Sequence, residues 1–213
     1  NIAHELNNPL TGLRSLAQVL RLEAQGSENE QLASDLFEIE KAAARSQLII
    51  RNLLEFSQGG TVARKKITFD EIVERTLPLL KSVMRNHRQN IHLDTASCLI
   101  EVEPHLLQQV VFNLINNACQ AMKTAGTITV ETEVVVDVLQ KAQAVRLIVI
   151  DNGPGIPENL REKIFEPFFT TKKEGLGTGL GLSLAKKIIE AHSGQISLRI
   201  DENSGACFVV ELP

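Results

Sequence analysis

Gly175-Leu176-Gly177-Thr178-Gly179-Leu180-Gly181-Leu182 is the stretch on which the reading of this chain turns. It runs into an apolar-periodic segment, Leu180 to His192, which Gly194 closes. This is a glycine-rich loop opening a helix. Backbone amides in such a loop, aimed from a helix N-terminus, form an anion site suited to phosphates. The loop lacks a Gly-Lys-Ser or Gly-Lys-Thr ending, which excludes a Walker-type P-loop. No strand–helix–strand unit surrounds it and it lies near the C-terminus, which excludes a Rossmann dinucleotide site. Its phosphate chemistry has to be built on another frame, and the upstream sequence supplies the parts.

Working outward, Val145 to Ile150 is nearly all apolar, as in a buried central strand. Asp151-Asn152-Gly153-Pro154-Gly155-Ile156 follows it directly. An ionised Asp only accepts hydrogen bonds, so Asp151 can select a donor such as the adenine 6-amino group. Gly153 and Gly155 let backbone approach a flat base. A plain Asp-Asn-Gly turn is the bland alternative. On a helix expected over Glu103 to Lys123, Asn113-Leu114-Ile115-Asn116-Asn117-Ala118 places Asn113 and Asn117 one turn apart. Their carboxamide oxygens can ligate Mg²⁺ that also holds waters and phosphates. An Asn-rich helix edge making ordinary hydrogen bonds is the competing reading. Between these motifs runs Phe165-Glu166-Pro167-Phe168-Phe169-Thr170-Thr171-Lys172-Lys173. Residues 157–178 are read as a mobile lid anchored by Phe168 and Phe169, with Lys172 or Lys173 meeting phosphate charge.

The surrounding pattern is strand-rich towards the end. Short strands are expected at Ile67 to Phe69 and Ile91 to Ala96, with a helix over Asp70 to Asn86. Thr127 to Val136 alternates, with Ile128, Val130, Val134 and Val136 on one face. Gln195 to Ile200 and Ala206 to Leu212 form a terminal hairpin around Asn203-Ser204-Gly205. Helices on one side of such strands make a two-layer α/β sandwich over residues 67–213.

Residues 1–58 are different. Ile2, Leu6, Leu13, Leu16 and Leu20, with Pro9 in the same series, form a heptad seam. Gly26-Ser27 breaks it. A second seam runs through Leu32, Leu36, Ile39, Ala43, Ile50 and Leu53. This predicts an antiparallel helical hairpin, paired with a second copy as a four-helix bundle. Packing against the rest of the chain is the alternative. With Leu6 and Leu13 at "a", His4 falls at "f" and Asn8 at "c" on the outer face, while Glu5 at "g" flanks the seam. A lone outer-face His is ordinarily just solvated. Pro9 leaves the Glu5 carbonyl without its amide donor and predicts a bend. Gly59-Gly60 then opens a linker over residues 59–66.

Composition removes other classes. Net charge is −4 from 22 basic and 26 acidic residues, against a nucleic-acid partner. Cys98, Cys119 and Cys207 are odd in number and widely spaced, as reduced thiols. No Cys-x-x-Cys or paired metal-type histidines suggest zinc. No apolar run reaches bilayer length. The chain opens on Asn1 in helical pattern, which predicts a cytoplasmic fragment whose sensor or membrane anchor lies upstream.

Taken in order, these motifs resemble the catalytic core of a sensor histidine kinase of two-component signalling. His4-Glu5-Leu6-Asn7-Asn8-Pro9-Leu10 is similar to the H box of the dimerisation and phosphotransfer domain. Asn113 to Ala118 resembles the N box, Asp151 to Ile156 the first G box, Phe165 to Lys172 the F box, and Gly175 to Leu182 the second G box. The second domain resembles the Bergerat (GHKL) ATP-binding fold, so the whole is an α+β chain. The short lid is most similar to the nitrogen-regulation subgroup. The resemblance implies that His4 is the phosphoacceptor, Glu5 its acid/base partner and Asn8 a residue that orients water for dephosphorylating a response regulator. It implies ATP and Mg²⁺ as cofactors, with Asn113 and Asn117 at the metal and Asp151, Gly153 and Gly155 at adenine. Gly177, Gly179 and Gly181 become the phosphate-side hinge, with Thr178, Leu180 and Lys172 at the nucleotide. The implied partners are a receiver domain and a second copy of the chain.

The implied chemistry is in-line transfer of the γ-phosphoryl group of ATP to His4, then delivery to a receiver aspartate. Two alternatives share the nucleotide motifs. One is an ATP-driven conformational clamp of the GHKL kind, which has no use for a His–Glu pair on a dimerising hairpin. The other is a degenerate kinase acting as a scaffold or chiefly as a phosphatase.

Overall fold

The computed structural model describes residues 2–25, 31–40, 42, 43, 46, 63–96, 98–122, 125–136, 142–172, 178–199 and 205–213. The expected turn at Gly26-Ser27, the linker glycines, Lys173 and Gly177 lie outside these residues. By contact the chain falls into two compact units. One is Asn1–Thr61 with Phe168–Leu180; the other is Val62–Pro167 with Gly181–Pro213.

In the first unit, α1 spans Ile2–Gln25 and passes without a break through Pro9. A second helix, α2, covers residues 31–40. The buried positions are Ala17, Ala24, Leu36 and Ala43, spaced by heptads within each helix. Arg21 Nε meets Glu40 Oε2 at 3.2 Å, and its guanidinium lies over the Phe37 ring at 5.4 Å. The predicted seams are buried only in part: Leu36 and Ala43 of the second are covered, Ile50 and Leu53 lie outside the described residues, and most of the rest is open. Leu16 is 58% exposed, and Leu13, Val19, Leu20, Leu32 and Ile39 are exposed with it. Leu36 is covered along with the alanines, and the other leucines named here face outward.

The second unit begins with β1 (Lys65–Ile67) and α3 (Phe69–Met84). The strand expected over 67–69 ends sooner because Thr68 is the helix cap. Its hydroxyl accepts from Glu71 N at 3.1 Å. Next come β2 (Arg88–His92), β3 (Ile100–Val102) and α4 (Pro104–Ala121). The expected strand at 91–96 is shifted: residues 93–96 leave the sheet to satisfy Asp70. The Asp70 carboxylate accepts from Thr95 N at 2.9 Å, Thr95 Oγ1 at 2.5 Å and Thr132 Oγ1 at 2.5 Å. Buried beside the start of α3, it also benefits from the helix dipole.

β4 (Thr127–Val136) and β5 (Ala142–Asp151) form an antiparallel pair. Two 3₁₀ turns, Glu158–Leu160 and Lys163–Phe165, precede α5 (Gly181–Ala191). β6 (Gln195–Arg199) and β7 (Cys207–Leu212) complete the chain. The main sheet has the order β2-β4-β5-β7-β6, with only β2 and β4 parallel; β1 and β3 make a separate antiparallel pair. Helices cover one face. Ile128, Val130, Leu147, Val149 and Val210 from the sheet are buried, as are Leu107, Val111, Leu114, Ile115 and Ile189 from α4 and α5. Each such side chain contributes roughly 1.5–3 kcal/mol on burial. The opposite face carries the Glu133–Arg146–Glu211 ion pairs, at 3.1 and 2.6 Å.

Two further features brace the helices that frame the site. His192, just past α5, is buried. Its Nδ1 lies 2.7 Å from Ile188 O, and its Nε2 accepts from Glu103 N, the cap of α4, at 3.0 Å. This is the Nδ1–H tautomer, and it ties the end of α5 to the start of α4. Arg64 Nη2 donates to Ala191 O at 2.9 Å, satisfying another end carbonyl of α5.

Candidate functional site

In the sheet-bearing unit α4 meets two of the expected motifs: Asn113 touches Gly181, and Gly153 lies against Ala121 and Met122 at the helix end. α4 buries Leu107, Val110, Val111, Leu114, Ile115 and Ala118 on its core stripe. That leaves Asn113 and Asn117 half-buried at its edge, one turn apart. Asn113 Nδ2 donates to the carbonyl of Gly181, the first residue of α5, at 3.2 Å. Because Nδ2 is engaged there, the amide assignment is fixed and Oδ1 is the acceptor end. A Cβ on Gly181 would sit 3.6 Å from the Asn113 Cγ and Oδ1, an ordinary contact. Gly181, the first residue of α5, therefore lies against the Asn-bearing helix.

Asp151 ends the central strand β5, opposite Ile128 of β4 on the helix-covered face. It is only 4% exposed. Its Oδ1 accepts from Gly153 N at 2.9 Å and from Ala206 N at 3.1 Å. Burial raises its pKa, and the Ala206 and Gly153 amides oppose that rise. The turn after it lies on the end of α4: a Cβ on Gly153 would approach Met122 Cγ at 3.2 Å and Ala121 Cβ at 3.7 Å. Asn152 Oδ1 accepts from Thr127 N at 2.7 Å, pinning this turn to the start of β4. Gly155 has a φ of +71°.

The other expected residues belong to the other unit. Lys172, Thr178, Gly179 and Leu180 lie in the Phe168–Leu180 segment. Thr178 Oγ1 accepts from Leu180 N at 3.4 Å. Burial lowers the Lys172 pKa. Gly179 has φ +67°, and a Cβ there would lie 2.3 Å from the Phe168 carbonyl carbon. Only glycine lets the two ends of this segment meet so closely. Phe168 itself takes φ +68°, a conformation that costs a non-glycine residue about 1 kcal/mol.

The expected lid anchor is corrected here. Phe168 is 64% exposed, while Phe169 is half-buried. Ile164 is buried instead, and Phe165 meets Phe208 edge-on at 6.4 Å with Lys186 over its ring at 5.7 Å. Each sits in or beside the second 3₁₀ turn, which aims it inward. His4, Glu5 and Asn8 are all in α1, with His4 and Asn8 one helical turn apart.

The donor set fits a nucleotide with Mg²⁺. Within the sheet-bearing unit, a buried acceptor, carboxamide oxygens on a helix edge and a glycine at a helix start suit base, metal and phosphate in turn. Among the described residues no group of three or more His, Cys, Asp or Glu could hold a metal alone. Any ion here would share its shell with water and phosphate. The three cysteines are free thiols, and burial raises the Cys119 pKa.

Comparison with known proteins bears on the family rather than on single residues. Residues 102–213, more than half of the chain, match the family described as histidine kinase-, DNA gyrase B- and HSP90-like ATPase. Residues 1–61 match the His Kinase A (phospho-acceptor) domain. The chain is 36% identical over its whole length to the signal transduction histidine-protein kinase AtoS of Escherichia coli, covering 34% of that protein. It is 33% identical to the sensor histidine kinase ZraS of Salmonella typhi, again over its whole length and covering 44% of it. The chain thus spans less than half the length of these curated relatives. Among solved structures, histidine kinase ThkA in complex with response regulator protein TrrA is similar at 30% identity and TM-score 0.70. That match covers 100% of this chain and 59% of the other. The isolated catalytic domain of ThkA matches at 36% identity and TM-score 0.61, over 70% of this chain and 95% of that one.

Proposed function

The chain belongs to the sensor histidine kinases of two-component signalling, and on that premise we propose that it phosphorylates His4 from ATP and passes the phosphoryl group to a receiver aspartate. The observation that carries this reading is the buried, doubly held Asp151 carboxylate, in the same unit as the Asn113–Gly181 bond.

Asp151 accepts from the adenine 6-amino group, and Gly153 and Gly155 border the base. Asn113 and Asn117 present carboxamide oxygens to Mg²⁺. The ion, when bound, neutralises phosphate charge and fixes the terminal phosphoryl group. The loop through Gly177, Gly179 and Gly181 hinges on the phosphate side. Thr178 and Leu180 line it, and Lys172 adds positive charge.

A ring nitrogen of His4 forms the bond to the γ-phosphorus as the bond from that phosphorus to the β–γ bridging oxygen breaks. ADP leaves with that electron pair, and Glu5 takes the proton from the other ring nitrogen. The receiver carboxylate then attacks the same phosphorus and releases His4. Asn8, one turn from His4, orients water for the reverse service of clearing receiver phosphate. A receiver partner is supported by the ThkA complex with a response regulator.

The exposed leucine faces of α1 and α2 pair with those of a second copy. Residues 1–58 are then the dimerisation and phosphotransfer domain, 59–66 a linker and 67–213 the ATP domain. No helix among the described residues is long and apolar enough to cross a membrane. The core works in the cytoplasm, and any anchor is a matter for the longer protein.

Incubated with γ-labelled ATP and Mg²⁺, the chain is expected to take up label and surrender it to an added receiver domain. Steady ATP turnover with no labelled protein would contradict this and favour a conformational clamp.

A further inference from the structure

The turn that leads into β7 is pressed against Asp151. Gly205 N donates to the Asp151 carbonyl at 2.8 Å, and Asp151 N donates to Ala206 O at 3.0 Å. Ala206 N then reaches past the backbone to Asp151 Oδ1, at 3.1 Å. The approach is so close that a Cβ on Gly205 would lie 2.3 Å from Oδ1, 2.5 Å from Gly153 N and 2.7 Å from Gly153 O. Two of those atoms are backbone and the third is the carboxylate itself, so an added side chain would force the Asp151 carboxylate or the Gly153 backbone to move. The same turn covers Gly155, whose Cβ, if present, would sit 3.1 Å from Gly205 O.

Sheet pairing does not require this contact. The β5–β7 register runs from Val145↔Leu212 to Ile150↔Cys207, and the backbone bonds at Asp151 carry it one residue further; the bond from Ala206 N to Oδ1 is additional to that pairing. What the contact does is fix a side chain. Both amides that hold the carboxylate, Gly153 and Ala206, converge on Oδ1. That sets the carboxylate plane and leaves Oδ2 for the ligand. It also opposes the effect of burial, which would otherwise favour the neutral acid. A neutral acid carries a donor and loses the acceptor-only character that distinguishes one base from another.

We propose that Gly205 and Ala206 are positioning residues that hold Asp151 for recognition of a base bearing an exocyclic amino donor. This rests on the reading of Asp151 as the adenine acceptor. Gly205 lies outside the five motifs and touches the base only through Asp151. Any side chain at 205 displaces Oδ1, turns the carboxylate and breaks the geometry at Oδ2.

The test uses the full chain and two nucleotides, ATP and purine riboside triphosphate, which lacks the 6-amino group. Calorimetric affinities are compared for wild type, Gly205→Ala, Asp151→Asn and the double variant. Wild type should prefer ATP. Gly205→Ala should lose that preference by roughly 10- to 100-fold while binding the analogue almost as before. On the Asp151→Asn background, Gly205→Ala should cost no further selectivity. Should Gly205→Ala fail to fold, Ala206→Pro removes the amide that reaches Oδ1 and carries the same expectation. Because the readout is a ratio, partial unfolding does not imitate it. Equal loss of both nucleotides in Gly205→Ala would mark a packing role and overturn the proposal. Retained preference in Gly205→Ala, with loss in Asp151→Asn, would overturn it and leave the Asp151 reading intact. Retained preference in Asp151→Asn would overturn that reading as well.

Discussion

Asn113, halfway along α4, donates its side-chain amide to the carbonyl of Gly181, the first residue of α5, at 3.2 Å. One side chain thus joins the helix carrying the proposed metal ligands to the end of the glycine-rich loop. Asn113→Asp keeps the shape and the metal-facing oxygen but replaces the donor with an acceptor opposite a carbonyl. It should therefore cost more than a metal-ligand count suggests. The expected outcome is a loss of roughly 10- to 100-fold in the rate of labelling from ATP, with Asn113→Ala at least as severe. Near wild-type labelling by Asn113→Asp would show that the bond to Gly181 is incidental.

Asp151 sets function against stability. Burial raises its pKa above the unfolded value. Between the two values the folded chain holds a proton that the unfolded chain has released. Its favourable contribution is therefore fully present below the unfolded pKa and lost as pH rises through the folded one. At neutral pH the charged form is a burden. Asp151→Asn retains an acceptor oxygen for Gly153 and Ala206 and should raise Tm at neutral pH. ATP affinity should move the other way, falling as acid protonates Asp151 in the wild type and being low at every pH in the variant. Thermal melts and binding across pH check both signs, and a lower Tm for Asp151→Asn would contradict the first.

How much of this was legible in sequence follows from how local the chemistry is. The alternation of β4 and the stripe on α4 were readable because one face of each is buried. Asp151 was placed correctly at a strand end because its strand is apolar throughout. β3 escaped notice: Ile100–Val102 is only three residues long and is defined by its pairing with β1. Thr68 looked like a strand residue because a cap shows itself only through the Glu71 amide it satisfies. The hydrophobicity of Phe168 suggests an anchor, and sequence does not report the positive φ that it adopts. Gly205 gave no signal beyond a turn, since its need for glycine comes from Asp151, far away in the chain. The clearest hint was available in principle: a glycine just before a strand that pairs with the strand bearing the key carboxylate.

The hairpin buries Ala17, Ala24, Leu36 and Ala43 and exposes most of its leucines. Leu16 is 58% exposed, and Leu13, Val19 and Leu20 share its side of the accounting. Pairing with a second copy would cover them, at roughly 1.5–3 kcal/mol for each leucine fully buried. The chain should sediment as a dimer, and Leu16→Glu with Leu20→Glu should sediment as a monomer. A dimer that survives both substitutions would place the interface elsewhere.

Asn8 follows His4 by one helical turn on α1. Asn8→Ala should spare phosphorylation of the chain yet slow loss of receiver phosphate by at least about tenfold. Unchanged loss of receiver phosphate would remove Asn8 from that role.

The central claim is that the phosphoryl group of ATP comes to rest on His4. Mass-spectrometric mapping at neutral to alkaline pH, after incubation with ATP and Mg²⁺, tests it most directly. The account predicts a single acid-labile phosphoryl group on the peptide containing His4, and none in His4→Gln. Phosphoryl on another residue, or an unchanged level in His4→Gln, would contradict it.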